Sequence, residues 1–258
     1  MQENIKLSQS LLNLIEAVGA PDYLPVMDTI NAYMLKQEEY LKNYQKDDVR
    51  IMFFAKTINT LYSYQLERVL INGILNTQNS SVIELIKAAN LGIILKMGEN
   101  FQIQHSIYNA SLCYIRLFCS LESTLREIYS EFGYIPKKKN SFIQFSEISS
   151  TIINDFKLDK KYIKLLELLA TIRNLMHEFG VSNKNKEIKY NGKTYKFEKG
   201  KFPKAEMVKL VSLLEFYRID VLTLMDQMFQ TEKFKNKQYI KDYLSPNKQH
   251  YKNWINGK

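Results

Sequence analysis

A chain of 258 residues, 45% of them hydrophobic, is long enough to bury a real core as one large domain or two small ones. Nine glycines and five prolines leave few places to break a helix, so an all-α protein is expected. The net charge is +9, and no window approaches the roughly 18 to 20 uncharged apolar residues of a membrane span, so a membrane is not an expected partner.

The first residues, "MQENIKLSQSLLNLIEAVGAPDY", put acids and amides where a signal peptide needs a basic end and an unbroken apolar run, so no targeting segment is expected. Within them a helix is predicted from a Ser8 cap to Gly19, with Pro21 and Pro25 closing the turn. Long helices are expected over 26–45 and 49–77, the second dense in apolar and aromatic residues from Ile51 to Tyr62. In "SSVIELIKAANLGIILKMG", Glu84 follows Ser81 by three, a capping box, and Gly98 is expected to end that helix.

Over 101–132, Ile103, Ile107, Ala110, Tyr114, Leu117, Leu121, Leu125, Ile128 and Phe132 step by threes and fours. That is the stripe of a helix packed along its whole length in a bundle. Gly133 and Pro136 stop it, and "PKKKNS" reads as an exposed loop. Cys113 and Cys119 lie six apart on this helix and point to different faces, which argues against a disulfide between them and for a reduced, cytoplasmic protein. A shorter helix near 146–155 and a long one over 158–179 follow.

After Gly180 the pattern changes. "KEIKYNGKTYKFEKG" alternates around Asn191-Gly192, a strong short-range hairpin signal, so a small β-hairpin is expected near 186–198. A two-residue turn sets Ile188 opposite Tyr195 on one face and Glu187 opposite Lys196 on the other. Pro203 then opens an amphipathic helix through Val208, Leu210, Val211, Leu214, Tyr217 and Val221 to about Phe229. The chain divides into a helical region over 1–98 with no assigned role, a helical domain with the hairpin over 99–232, and a basic aromatic tail over 233–258.

The charge is local. Residues 181–209 hold nine lysines against three acids, and residues 231–258 hold seven against two. Such clustering fits an anionic partner, or else a solvated lysine-rich surface. No G-x-G-x-x-G or G-x-x-x-x-G-K phosphate loop and no nucleophile elbow is present. His105, His177 and His250 are far apart and lack cysteine spacing, so neither a metal nor a cofactor is expected.

"ATIRNLMHEFG", residues 170–180, carries the chemistry that remains. Arg173 and His177 stand one turn apart on one face of a helix that is apolar nearly all round. Polar groups there need partners or a cleft, because unpaired burial costs about 1 to 3 kcal/mol. In one reading they finish the helix, bonding its last carbonyls and complementing its dipole. In the other they do chemistry: histidine as base or acid near neutral pH, arginine as a clamp on phosphate.

"IRNLMHEFG" followed by "IKYNGKTYKF" resembles the signature helix of the HEPN superfamily, over roughly residues 101–230. These are all-α domains, many of them metal-independent ribonucleases of bacterial toxin–antitoxin, abortive-infection and other antiviral systems. The resemblance implies Arg173 and His177 as the catalytic pair, with Asn174 as the polar residue after the arginine. Three residues separate Arg173 from His177, where the family usually has four to six. "FCSLESTLREIY" resembles the earlier helix that carries an acidic residue near the site, which gives that role to Glu122; Glu122 is also four before Arg126, an ordinary helix ion-pair spacing.

The family's symmetric dimers imply a homodimer, an RNA substrate and an antitoxin or defence-system partner. Lys189, Lys193 and Lys196 of the hairpin would bind nucleic-acid phosphates, and the tail's Tyr239, Tyr243, Tyr251 and Trp254 would stack on bases or dock on the bundle. A non-catalytic helical module that binds nucleic acid or a protein is the alternative.

Overall fold

The computed structural model describes residues 23–76, 92–135, 143–177 and 181–242. The Ser8 helix, the Ser81 capping box, the "PKKKNS" loop and the last tail aromatics lie outside them. The architecture is a helical bundle with one small antiparallel hairpin, as the composition and periodicity predict.

Helix α1 (Tyr23–Leu41) takes Pro25 into its first turn, where a missing N–H has no helical partner to lose. It packs on α2 (Val49–Asn76), which enters the core through Phe53 and Phe54. Tyr33 and Tyr40 of α1 meet these rings at centroid distances of 5.8 Å (Tyr33–Phe53) and 5.5 Å (Tyr40–Phe54). Their hydroxyls then reach the C-terminal helices: Tyr33 donates to the Tyr217 carbonyl at 3.0 Å and Tyr40 to Asp226 at 2.9 Å.

Helix α3 (Gly92–Glu131) runs unbroken through Gly98, so the expected stop there is not seen and position 99 falls inside a helix. A helical glycine costs only about 1 kcal/mol against alanine, which a 40-residue helix packed along α2 outweighs. The stripe holds from Tyr114 to Ile128, but Ile107 is 63% exposed, and Asn109, on the opposite side of the helix, is buried there instead. Gly133, at φ +69°, takes the left-handed cap, and the Tyr134 N–H bonds back to the Tyr129 carbonyl at 3.3 Å. Cys113 is buried and Cys119 exposed, and neither is in a disulfide.

Helices α4 (Phe145–Asp155) and α5 (Lys161–His177) pack on each other and on α3. Strands β1 (Lys186–Tyr190) and β2 (Lys193–Phe197) pair in the register read from the sequence, Ile188 opposite Tyr195 and Glu187 opposite Lys196. Asn191 at φ +45° and Gly192 at φ +73° make the tight turn. Ile188, Tyr190 and Phe197 are buried, and β1 lies on α5.

The helix expected from Pro203 to Phe229 is divided. After α6 (Ala205–Val208), Lys209 is extended at ψ 130°; α7 (Leu210–Glu215) then passes through a π-helical turn (Phe216–Val221) into α8 (Leu222–Gln230). Val211, expected inside, is 40% exposed after the break. Asp220 of the π-helical turn accepts the Tyr190 hydroxyl at 2.6 Å, tying the hairpin to this helix.

The described part of the basic tail is docked rather than free. Thr231 caps α9 (Glu232–Lys235), and Phe234 and Ile240 are buried. Residues 237–242 run as a strap over the start of α2, with the Val49 N–H on the Ile240 carbonyl at 2.8 Å and the Asp242 N–H on the Asp47 carbonyl at 3.0 Å. Asp48, fully buried, caps α2 through the Arg50 N–H at 2.9 Å and also accepts the Ile240 N–H at 3.1 Å.

Candidate functional site

The α3–α5 contact fixes the site. Tyr114 of α3 donates to the Leu169 carbonyl of α5 at 2.8 Å, which sets the two helices against each other two turns before Glu122. Glu122 then accepts from two arginines. Its Oε1 takes Arg126 Nε at 3.0 Å and Nη2 at 2.6 Å, and its Oε2 takes Arg173 Nη2 at 3.1 Å. Arg126 Nη1 donates onward to the Ile143 carbonyl at 3.0 Å. The Arg173 guanidinium lies over the Phe118 ring at 4.8 Å. Glu122 therefore makes the ordinary helix ion pair and reaches Arg173 as well.

Arg173 does not finish its own helix: its guanidinium leaves α5 for α3, and among the described residues Glu122 is its hydrogen-bond acceptor. Its side chain is 24% exposed, while its Nε is buried without an acceptor. One edge of the guanidinium is thus committed and another faces outward. Cys119, nearby, is exposed as a residue, yet partial desolvation pushes its thiol up, with Arg173 opposing and Glu122 reinforcing, so it is a poor nucleophile there.

His177 is exposed on the last described turn of α5. At about 100° per residue it projects roughly 40° from Arg173 and 60° from Asn174, between the two. Asn174 itself does not join the Glu122–Arg173 couple. It lines a small cleft of about 80 Å³ between α5 and the entry to β1, with Thr171, Ser182, Asn183, Lys184 and Lys186.

Sequence reasoning missed that cleft. Lys186 shares the inward parity of Ile188 in the hairpin, and that alternation was its only signal. Its ammonium donates to Thr171 Oγ1 at 2.9 Å and pairs with Glu167 at 3.1 Å. Burial pushes the Glu167 carboxyl up, but hydrogen bonds from Lys164 and Lys186 outweigh it and hold the group below its ordinary range.

The three hairpin lysines do not share one face. Lys189 and Lys196 project outward, and Lys196 stands 3.8 Å from Glu187. Lys193, opposite Tyr190, belongs to the inner parity, but at the turn it is exposed. In the tail, Tyr239 donates to Asp47 at 2.8 Å, so this aromatic docks on the bundle.

Among the described residues no three His, Cys, Asp or Glu side chains converge as a metal site, and no helix is long and apolar enough to cross a membrane. Fold and site together define an all-α bundle with a β-hairpin and a carboxylate-bridged arginine beside an exposed histidine. No family model, curated protein or solved structure matches the chain.

Proposed function

We propose that the protein is a HEPN-like endoribonuclease that cleaves RNA without a metal, through Arg173 and His177, in a bacterial defence or toxin setting. The observation that carries this reading is the Glu122–Arg173 couple. It fixes the guanidinium between α3 and α5 with an outward edge, one turn from an exposed histidine. A guanidinium so held can grip a phosphate oxygen and stabilise its charge as the phosphorus becomes five-coordinate.

In the reaction a base takes the proton of the ribose 2′-hydroxyl, and that oxygen attacks the adjacent phosphorus. The bond to the 5′-oxygen breaks and an acid protonates the leaving oxygen, giving a 2′,3′-cyclic phosphate and a 5′-hydroxyl. One imidazole serves as base or acid at a time. The reading therefore includes a homodimer in which a second copy brings its own His177 and Arg173. Lys189, Lys193 and Lys196 supply phosphate contacts that steer the strand.

The second reading, a non-catalytic module that binds nucleic acid or a partner such as an antitoxin, is favoured by one feature: Glu122 already occupies Arg173 Nη2 at 3.1 Å. Incubation of total bacterial RNA with the purified protein in EDTA separates the two. Cyclic phosphate ends that vanish in both His177→Ala and Arg173→Ala are expected. Equal cleavage by all three proteins removes this pair from the chemistry; no cleavage by any of them, all folded and dimeric, leaves the binding module.

A further inference from the structure

We propose that the cleft between α5 and the entry to β1 is a subsite for one backbone phosphate of the bound RNA, next to the phosphate that Arg173 and His177 would act upon. The assignment of RNA as the ligand rests on the function proposed above; the cleft's preference for an anion rests on its own geometry.

Size limits the occupant first. The cleft measures about 80 Å³, room for two or three water molecules at about 30 Å³ each. Sites for nucleosides or other drug-sized ligands run to about 300 Å³ and above. That is the scale of a single small group rather than of a whole nucleoside.

Chemistry then fixes its sign. Two lysines and two amides line the cleft, and among the described residues no carboxylate does. Glu167, the carboxylate that Lys186 reaches at 3.1 Å, is also taken by Lys164 at 2.9 Å. Both hydroxyls are already spent as donors: Ser182 gives its proton to the Lys184 carbonyl at 2.6 Å and Thr171 gives its own to the Glu167 carbonyl at 2.8 Å. The donors that remain are the Asn174 amide, the Lys184 ammonium and the third N–H of Lys186. Neither the Asn174 amide nor the Lys184 ammonium makes a side-chain hydrogen bond or ion pair among the described residues, and both are exposed. Charge-bearing donors converging on a phosphate-sized hollow suit a phosphate better than water.

The frame is fixed in advance. Leu175 and Ser182 are buried beneath the cleft. Ser182 is tied across to the segment after β2, its carbonyl accepting the Gly200 N–H at 2.8 Å. Lys186 is immobilised by its two partners.

Placement supplies the reason for an RNA strand. His177 stands between Arg173 and Asn174 around the helix, so a strand crossing the end of α5 meets Arg173 on one side of the imidazole and the cleft on the other. Neighbouring phosphates of one strand would then be held on either side of the reacting bond, and holding both positions it for attack. This also separates the tasks of the adjacent residues Arg173 and Asn174, one bracing the reacting phosphate and the other its neighbour.

The test uses the full chain and a fluorescent 2′-O-methyl oligoribonucleotide, which carries RNA shape but no 2′-hydroxyl to attack. Anisotropy titrations over a range of salt are run on wild type, Lys184→Ala and Asn174→Ala, beside NMR titration with inorganic phosphate. Expected are about a fivefold weaker binding in Lys184→Ala, a salt slope shallower by about 0.7, and a two- to threefold loss in Asn174→Ala. Phosphate is expected to shift the Asn174 side-chain amide resonance in wild type and not in Lys184→Ala. Unchanged affinity and slope in both variants, or no binding of the oligonucleotide by wild type, overturns the subsite. Phosphate entering the cleft while RNA binding ignores both variants overturns the RNA assignment and leaves a free-anion site. Failure of the ribonuclease reading looks different: natural RNA stays intact while the 2′-O-methyl strand still binds through Lys184 and Asn174.

Discussion

Two arginine–carboxylate pairs stand in this molecule, chemically alike and physically opposed. Arg50 and Asp48 are both fully buried, joined at 2.8 Å and 3.2 Å, with Arg50 Nη2 also on the Lys237 carbonyl at 2.8 Å. The Arg50 guanidinium lies 3.7 Å from the Tyr44 ring centroid and 5.0 Å from that of Phe234. Arg173 and Glu122 are joined at 3.1 Å, with side chains 24% and 16% exposed. The first pair is closed on all sides by aromatic rings and the strap. The second is open on one, and its carboxylate is shared with Arg126. The difference teaches that an ion pair's role follows from what its remaining surface meets. Enclosed, it binds chain segments together; half-open, it holds a charge ready for something else.

Breaking the closed pair gives the largest effect. Arg50→Met leaves the Asp48 carboxylate buried without its partner and removes a donor from the Lys237 carbonyl, so a loss of about 3 to 5 kcal/mol is expected in urea unfolding. Asp48→Asn combined with Arg50→Met restores part of it, because no charge is stranded, while the single amide oxygen keeps one of the two backbone N–H groups, of residue 50 and Ile240, that the two carboxylate oxygens accept. If the double variant is as unstable as the single one, the cost comes from lost packing against Tyr44 and Phe234 rather than from the charge.

The open pair should respond less in stability and more in function. Glu122→Gln keeps a carbonyl oxygen for Arg173 but leaves two arginines without their shared anion. About 1 to 3 kcal/mol of destabilisation is expected from the weakened charged hydrogen bonds, together with loss of RNA cleavage as Arg173 loses its brace. Full stability with full cleavage would show that the pair neither holds the α3–α5 contact nor orients the guanidinium.

The same contrast explains what could be read in advance. The hairpin was legible to the register, because alternation and Asn-Gly are local instructions that no distant contact had to supply. So was the apolar stripe of α3 from Tyr114 to Ile128. Arg173 and His177 could be seen to share a face, but not that Arg173 hydrogen-bonds Glu122 while Asn174, about 100° round the helix, lines the cleft beside β1. Which neighbour a helix face meets is decided by packing between elements far apart in sequence. Gly98 was misread as a stop because its local cost is small against a long packed helix. The docking of the tail was left open for a related reason: Phe234 and Ile240 carry the burial as isolated apolar residues among lysines, with no run of helical or strand periodicity. The π-helical turn at Phe216–Val221 had no composition cue at all.

A third couple grades the comparison, and its effect is the smallest. Lys186 and Glu167 pair at 3.1 Å with side chains 25% and 31% exposed, more open than either arginine pair. Lys164 and Lys186 lower the Glu167 carboxyl in the folded state from its ordinary value of 4.5, against the upward push of burial. The unfolded chain therefore takes up its proton at higher pH than the folded one. The stabilisation is present in full above pH 4.5 and is lost as pH falls below it, through the lowered folded value. Partly exposed pairs contribute about 0.2 to 1 kcal/mol, so Glu167→Gln should cost no more than that at pH 7. As pH falls below 4.5 the gap between the variant and wild type should narrow. Lys186→Met should remove part of the acid-dependent step and leave the share that Lys164 supplies. If the gap between Glu167→Gln and wild type is as wide at pH 3 as at pH 7, the loss lies in packing between α5 and the hairpin, and the pair belongs with the closed couple rather than below the open one.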